Sequence, residues 1–488
     1  MHLVKTKLHV FFSVILGIIL CWPLAVAFPI NGGDALWVAQ SSRALVECAR
    51  TDIWTNCPGT YQFGWLQHLP GIFLAWKGMD DNSIVFILTL INFLAFAWLI
   101  FVVIKRFHIK KESTWLLLAS LLLGPLYAFS VYSFSEILTF VLLSALVLKI
   151  ADDKSMFTVA ALAFIISSSR ETAFTVVLAL VITVLVVHET DWRSATKKVI
   201  VIGGSSFSGL LAVLLFNVWK YGSISNDHYA DPIRRVPGTV LKIKNFLAVW
   251  ISPSGGVLPF WLLGGLLALL IPCIALLSWR TAKRHAIAGL ILLMLLFTQT
   301  VLLAAWYAPF GWVTWGPRLI LPVVGVILIT CFVLFETIIQ EIIDFIRYKF
   351  VLVTILLGGV FLSGVSNLGF ILNRSATLAW FNPPLLPFCR KTANVEIDSH
   401  HYFLCALDFA PWQLGRTLWD AGFHQVTSGW GLLYFLLELA LLGGTLYGGY
   451  ERRSATITEP PAIEGILDSN LSMPLNADGN SGNGTPTA

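Results

Sequence analysis

A run of about twenty apolar residues, long enough to cross a bilayer as a helix, recurs along this chain. Such runs lie near 8–28, 84–104, 114–131, 133–150, 155–169, 173–188, 198–218, 257–278, 286–306, 318–336, 350–371 and 429–449. Charged residues make up 12% of the chain and hydrophobic ones 57%, against about 25% and roughly 45–50% in soluble chains. No water-soluble core hides that much apolar surface. The sequence predicts an all-α polytopic membrane protein of about twelve transmembrane helices over residues 1–453. The run at 8–28 exceeds the roughly 7–15 apolar residues of a signal peptide, so it reads as an uncleaved first span.

The basic residues set the orientation. Lys105, Arg106, Lys110 and Lys111 follow the second run, Arg193, Lys197 and Lys198 the sixth, Arg280, Lys283 and Arg284 the eighth, and Arg347 and Lys349 the tenth. With alternating spans all of these share one side with the N-terminus and Arg452-Arg453, and positive charge marks the cytoplasmic side. The net charge of +5 is used up in these loops and gives no reason to expect nucleic acid. Both termini are expected in the cytoplasm of a bacterial inner-membrane protein. Three longer segments, about 29–83, 219–256 and 372–428, then face outward as folded loops rich in Trp, Tyr, Pro and Gly. The tail, 454–488, lacks the apolar residues to order itself.

Of seven cysteines, Cys48, Cys57, Cys389 and Cys405 fall in outward segments, where an oxidising compartment permits disulfides. Four cysteines allow three pairings. The local one, Cys48–Cys57 with Cys389–Cys405, closes the shortest loops and is the one expected; free thiols are the alternative.

Ionisable groups at membrane depth are costly and are functional candidates by default. Asp34 stands just after the first run. A carboxylate there suits a general base on an acceptor hydroxyl; it would equally cap a helix over Ala35–Cys48. Asp80-Asp81 before the second run reads as a solvated loop or a helix cap. Glu136, in the turn between the third and fourth runs, is a second acid, able to orient a sugar or to help hold a divalent cation. In Ser167-Ser168-Ser169-Arg170-Glu171, Arg170 either pairs with its neighbour Glu171 or binds a lipid phosphate. Arg318 opens the tenth run on the outward side, against the positive-inside bias. It follows Trp315-Gly316-Pro317, and a guanidinium suits bidentate phosphate contacts. Arg234 and Arg235 are further outward cations, with His228, Tyr229 and Trp315 as candidate substrate-lining groups. No Cys/His spacing resembles a zinc site.

Together these segments resemble the GT-C superfamily of glycosyltransferases, in the branch similar to protein O-mannosyltransferases and the lipid A aminoarabinose transferase. Four patterns occur in the family's order. Gly33-Asp34 resembles its first-loop acid, and Ser135-Glu136 its acid after the third span. Ser252-Pro253-Ser254-Gly255-Gly256-Val257-Leu258 resembles a Ser-Pro-Gly-Arg-Gly-Leu loop. Trp315-Gly316-Pro317-Arg318 resembles the aromatic-Gly-Pro-Arg entry to a late span. The likeness spans about residues 8–371, with two departures: the first-loop acid is single, and Gly255 stands where the family has Arg. The resemblance implies transfer of a sugar from a polyprenyl-phosphate donor to an envelope acceptor at the outer face. Asp34 and Glu136 would be the catalytic acids, and Arg318, Arg170, Arg234 and Arg235 the phosphate-binding cations. The alternative is a transporter or lipid flippase, though no half-to-half similarity of the kind common in transporters is visible.

Overall fold

The structure is a computed structural model. It describes residues 34–54, 56–58, 65–107, 112–131, 135–224, 238–252, 255–306 and 317–348, with 358, 359 and 436. Among these residues the regular structure is helical throughout. The expected spans at 8–28, 350–371 and 429–449, the segment 372–428 and the tail lie outside the described residues.

Two helices, α1 (Asp34–Arg50) and α2 (Trp65–Trp76), occupy the first segment expected to face outward. There follow α3 (Asp81–Phe107), α4 (Glu112–Leu122), α5 (Pro125–Ser130), α6 (Ser135–Ala151), α7 (Met156–Ser167), α8 (Ala173–His188) and α9 (Trp192–Tyr221). Then come α10 (Thr239–Ile251), α11 (Val257–Phe260), α12 (Leu262–Leu277), α13 (Lys283–Ala304), α14 (Leu321–Leu334) and α15 (Glu336–Tyr348). Among the described residues four stretches are by themselves long and apolar enough to cross a membrane: α3, α9, α12 with the 3-10 turn through Arg280, and α13. The chain is an integral membrane protein of the polytopic helical class.

Local sequence explains where these helices begin, break and end. The Asp80 carboxylate accepts the Ser83 N–H at 3.0 Å at the head of α3, as a helix cap does. Asp191 caps α9 by accepting from the Arg193 and Ser194 N–H groups, each at 3.1 Å. Gly222 ends α9 in the left-handed conformation, φ +70°, which costs a residue without Cβ nothing. The expected span 114–131 is broken between α4 and α5. Pro125 offers no N–H to continue the helix, and Gly124 before it is extended. A Cβ on Gly124 would also lie 2.7 Å from Cδ1 of Trp261. That tryptophan is buried and donates from Nε1 to the Ser120 carbonyl at 2.5 Å. The expected span 257–278 is likewise interrupted, at Trp261 between α11 and α12.

Small residues let the helices approach one another. Ser167 on α7 hydrogen-bonds Ser206 on α9, and Ser205 reaches the Ala160 carbonyl at 2.7 Å. Interfaces of small and hydroxylated residues are how helices associate where lipid supplies no hydrophobic drive.

At one end of the bundle Arg106 at the foot of α3 pairs with Asp152 after α6. There Lys198 of α9 pairs with Asp153 at 2.8 Å and with Glu189 after α8. Arg284 of α13 donates to the Glu189 carbonyl at 2.9 Å. The loops expected to share the cytoplasmic side thus gather at one end. The stretch after Leu334 differs from the expected plain loop. α15 turns from α14 by 98° and lays Ile339 and Ile343 against the core while Glu336, Gln340 and Glu341 face out. The isoleucines at helical spacing carried that signal.

Candidate functional site

The opposite end carries the acids and cations of the turns expected to face outward. Three serines close α7. Ser168 and Ser169 donate to the carbonyls of Ile165 and Ile166 at 2.7 and 2.6 Å, satisfying acceptors that a helix end leaves open. The chain then turns through Arg170 and Glu171 into α8. Arg170 does not pair with Glu171, as one reading of the sequence had it. Its Nη2 donates to the Ser135 hydroxyl at 2.9 Å and to Oε1 of Glu136 at 3.0 Å. Glu171 instead accepts from Asn217 Nδ2 of α9 at 2.7 Å. Adjacent residues in a turn point apart.

Arg318 reaches the same carboxylate from 182 residues away. It sits in the turn before α14 rather than opening that helix, and its Nε donates to Glu136 Oε1 at 3.1 Å. Ser135 donates to the other oxygen, Oε2, at 3.4 Å. Glu136 is 1% exposed and Arg318 5%. Breaking a pair this deep by removing one partner leaves a charge without solvent or counter-ion. The carboxylate lies in the first turn of α6, where the helix dipole favours negative charge. Two guanidiniums, each on a turn between helices, therefore converge on one acid. Ser135, Glu136, Arg170 and Arg318 meet here although they come from three separate parts of the sequence.

This arrangement changes the part open to Glu136. A carboxylate bonded to two guanidiniums holds them in place; it is not free to take a proton from an acceptor. Nor does it suit a divalent cation, which the guanidiniums repel. Among the described residues no three His, Cys, Asp or Glu side chains gather as a metal site would require.

Asp34 is the first residue of α1; its side chain lies outside the described residues. So do Arg234, Arg235, His228, Tyr229, Trp315, Cys389 and Cys405. Cys48 and Cys57 are disulfide-bonded. The bridged loop rests on the end of α9: the Cys57 N–H donates to the Trp219 carbonyl at 3.2 Å, and Trp219 Nε1 to the Ile53 carbonyl at 3.0 Å. Trp219 lies two residues beyond Asn217, so disulfide and carboxylate cluster occupy the same end. One charged group there escaped the sequence reading. Lys220 on the last turn of α9 is 1% exposed. Its position inside a Trp-Lys-Tyr triplet at the end of an apolar run resembled an interfacial anchor.

No family model matches the chain, and no curated protein matches it. Among solved structures, the crystal structure of ArnT from Cupriavidus metallidurans in the apo state is similar. Identity is 12% and the TM-score 0.42, over 86% of this chain and 78% of that one.

Proposed function

We propose that this protein is a membrane glycosyltransferase that moves a sugar from a polyprenyl-phosphate donor to an envelope acceptor. The observation that carries the reading is the meeting of Arg170 and Arg318 on one buried carboxylate. Guanidiniums fixed in advance are what a departing phosphate needs, because charge develops on it as the sugar leaves. Arg318 and Arg170 would take the phosphate through charge-assisted hydrogen bonds. Glu136 would act as the positioning residue that holds both forks. Asp34, at the head of α1, would be the base on the acceptor hydroxyl, and Arg234, Arg235, His228, Tyr229 and Trp315 would line the path of the donor. The disulfide at this end supports an oxidising, exoplasmic location.

Transfer tests this directly. With purified protein in nanodiscs and a panel of polyprenyl-phosphate sugars, Arg318→Lys should lose about a hundredfold or more in kcat, the cost of removing one stabilising donor. A lysine restores charge but not the planar fork. Full turnover by Arg318→Lys and Asp34→Asn, with the fold intact, would overturn the reading.

A further inference from the structure

We propose that the head of α9 is a binding site for an anionic phospholipid, in the leaflet at the end of the bundle where the basic loops gather. The site is separate from the Glu136 cluster, and the inference does not rest on the proposed function.

α9 has two faces. Ile202, Ser206, Gly209 and Val213 recur at helical spacing and are buried against the bundle. On the opposite face Ile200, Phe207, Leu211 and Leu215 are exposed. Gly204 stands among them, where an added Cβ would meet nothing within 4 Å. At the head of this apolar stripe lies a shallow groove of about 410 Å³, lined by Trp192, Arg193, Thr196, Lys197, Ile200 and Val201.

The cations of this end fall into two sets. Arg106 and Lys198 are tied to acids, and Arg284 to a carbonyl. Arg193 and Lys197 are exposed, and among the described residues neither side chain has an ion pair or a hydrogen bond. They stand one turn apart on the face of the groove, a spacing of about 5–6 Å between Cβ atoms. Asp191, two residues before Arg193, is engaged in capping the helix. Thr196 turns its hydroxyl back to the Trp192 carbonyl at 2.9 Å, so the two cations are left to receive an incoming anion. Trp192 is 78% exposed, at a helix end where an indole sits among headgroups.

Two cations above, an indole at the rim and an apolar stripe below match a phospholipid part by part. Its phosphate meets the cations and its acyl chains lie along α9. Basic pockets at the end of a span receive anionic headgroups in this way. A second copy of the chain fits this face worse, because a two-fold contact through it sets like cations against each other. Cations that merely snorkel to the interface need no concavity beneath them.

The experiment uses the full chain in detergent, with lipid binding followed by native mass spectrometry. The probes are dioleoylphosphatidylglycerol, dioleoylphosphatidylcholine and undecaprenyl monophosphate. The anionic phospholipid should be held more tightly than the zwitterionic one with the same chains. Arg193→Met and Lys197→Met should each weaken its tightest binding about fivefold, and the two together about thirtyfold, the worth of one surface cation each. Phosphatidylcholine binding should not change. Lys154→Met, which removes an exposed cation of the same end outside the groove, should leave all three lipids unaffected. Arg193→Lys with Lys197→Arg should keep the preference. Equal affinity for the two phospholipids, or wild-type binding of phosphatidylglycerol by the double Met variant, would overturn the site. A loss in Lys154→Met as large as in the double variant would reduce it to diffuse surface charge. A parallel loss of undecaprenyl monophosphate in the double variant would make the groove a donor-lipid site and overturn the phospholipid assignment.

Discussion

Removing the Glu136 carboxylate would strand two guanidiniums, one of them 5% exposed. Glu136→Gln should therefore destabilise the protein by about 3–5 kcal/mol, and Arg318→Met by a similar amount, because each leaves a buried charge with a lost partner. The double variant Glu136→Gln/Arg318→Met should be less damaged than the sum. A coupling of about 0.5–3 kcal/mol is expected for groups in direct contact. Thermal unfolding of the four proteins in one detergent measures it. Additive losses would mean that the 3.1 Å bond between them contributes nothing. At this scale the sequence singled out three charged residues that meet in the structure and was silent about their pairing. Glu136, Arg170 and Arg318 stood out because charge is rare in apolar runs. That Arg170 would reach Glu136 rather than Glu171 depends on how a five-residue turn points its side chains, which spacing does not encode. Lys220 was hidden for a related reason, since a lysine at the end of a span is ordinarily a surface anchor.

Among the elements, α3 owes its start to Asp80. Hydrogen bonds from Ser83, side chain and backbone, hold the Asp80 carboxyl below the usual carboxylate range, with a smaller pull from Arg43. A depressed carboxyl contributes stability above its unfolded pKa of about 4, and that contribution is lost as pH falls through the lower folded value. The first-turn amides of α3, Ser83 to Val85, should stay protected from neutral pH down to about 4 and exchange faster below it, once intrinsic exchange rates are corrected for. Asp80→Asn should cap without that dependence, as asparagine accepts the same bond at any pH. Hydrogen exchange against pH checks both. The helices themselves were the most legible feature, because an apolar run has few ways to satisfy its backbone in lipid. Their breaks were less so. The run at 114–131 was read straight through Gly124-Pro125, and the reason the break is kept, Trp261 filling the gap, joins residues 141 apart. α15 carried readable helical spacing and was passed over because its charges resembled those of a loop.

For the molecule as a whole, the two polar ends make a topological prediction. Asp153 is 83% exposed and its pair with Lys198 is of the kind that contributes little, so Asp153→Cys should fold normally. It should react with a membrane-impermeant maleimide only from the cytoplasmic face. Lys77→Cys, next to the exposed end of α2, should react only from the opposite face. Labelling in whole cells and in inverted vesicles, against the unmodified chain, decides it. Reaction of both from one face would break the alternation on which the positive-inside assignment depends. The buried cluster also bears on how such a chain is made. Glu136 enters the bilayer long before residue 318 has left the ribosome, and a bare carboxylate in lipid is costly. Arg170, only 34 residues later, is the first cation that synthesis delivers to it. During biogenesis the acid is thus accompanied early by one partner and joined late by a second. The finished grip on the carboxylate closes only when the tenth apolar run is being inserted.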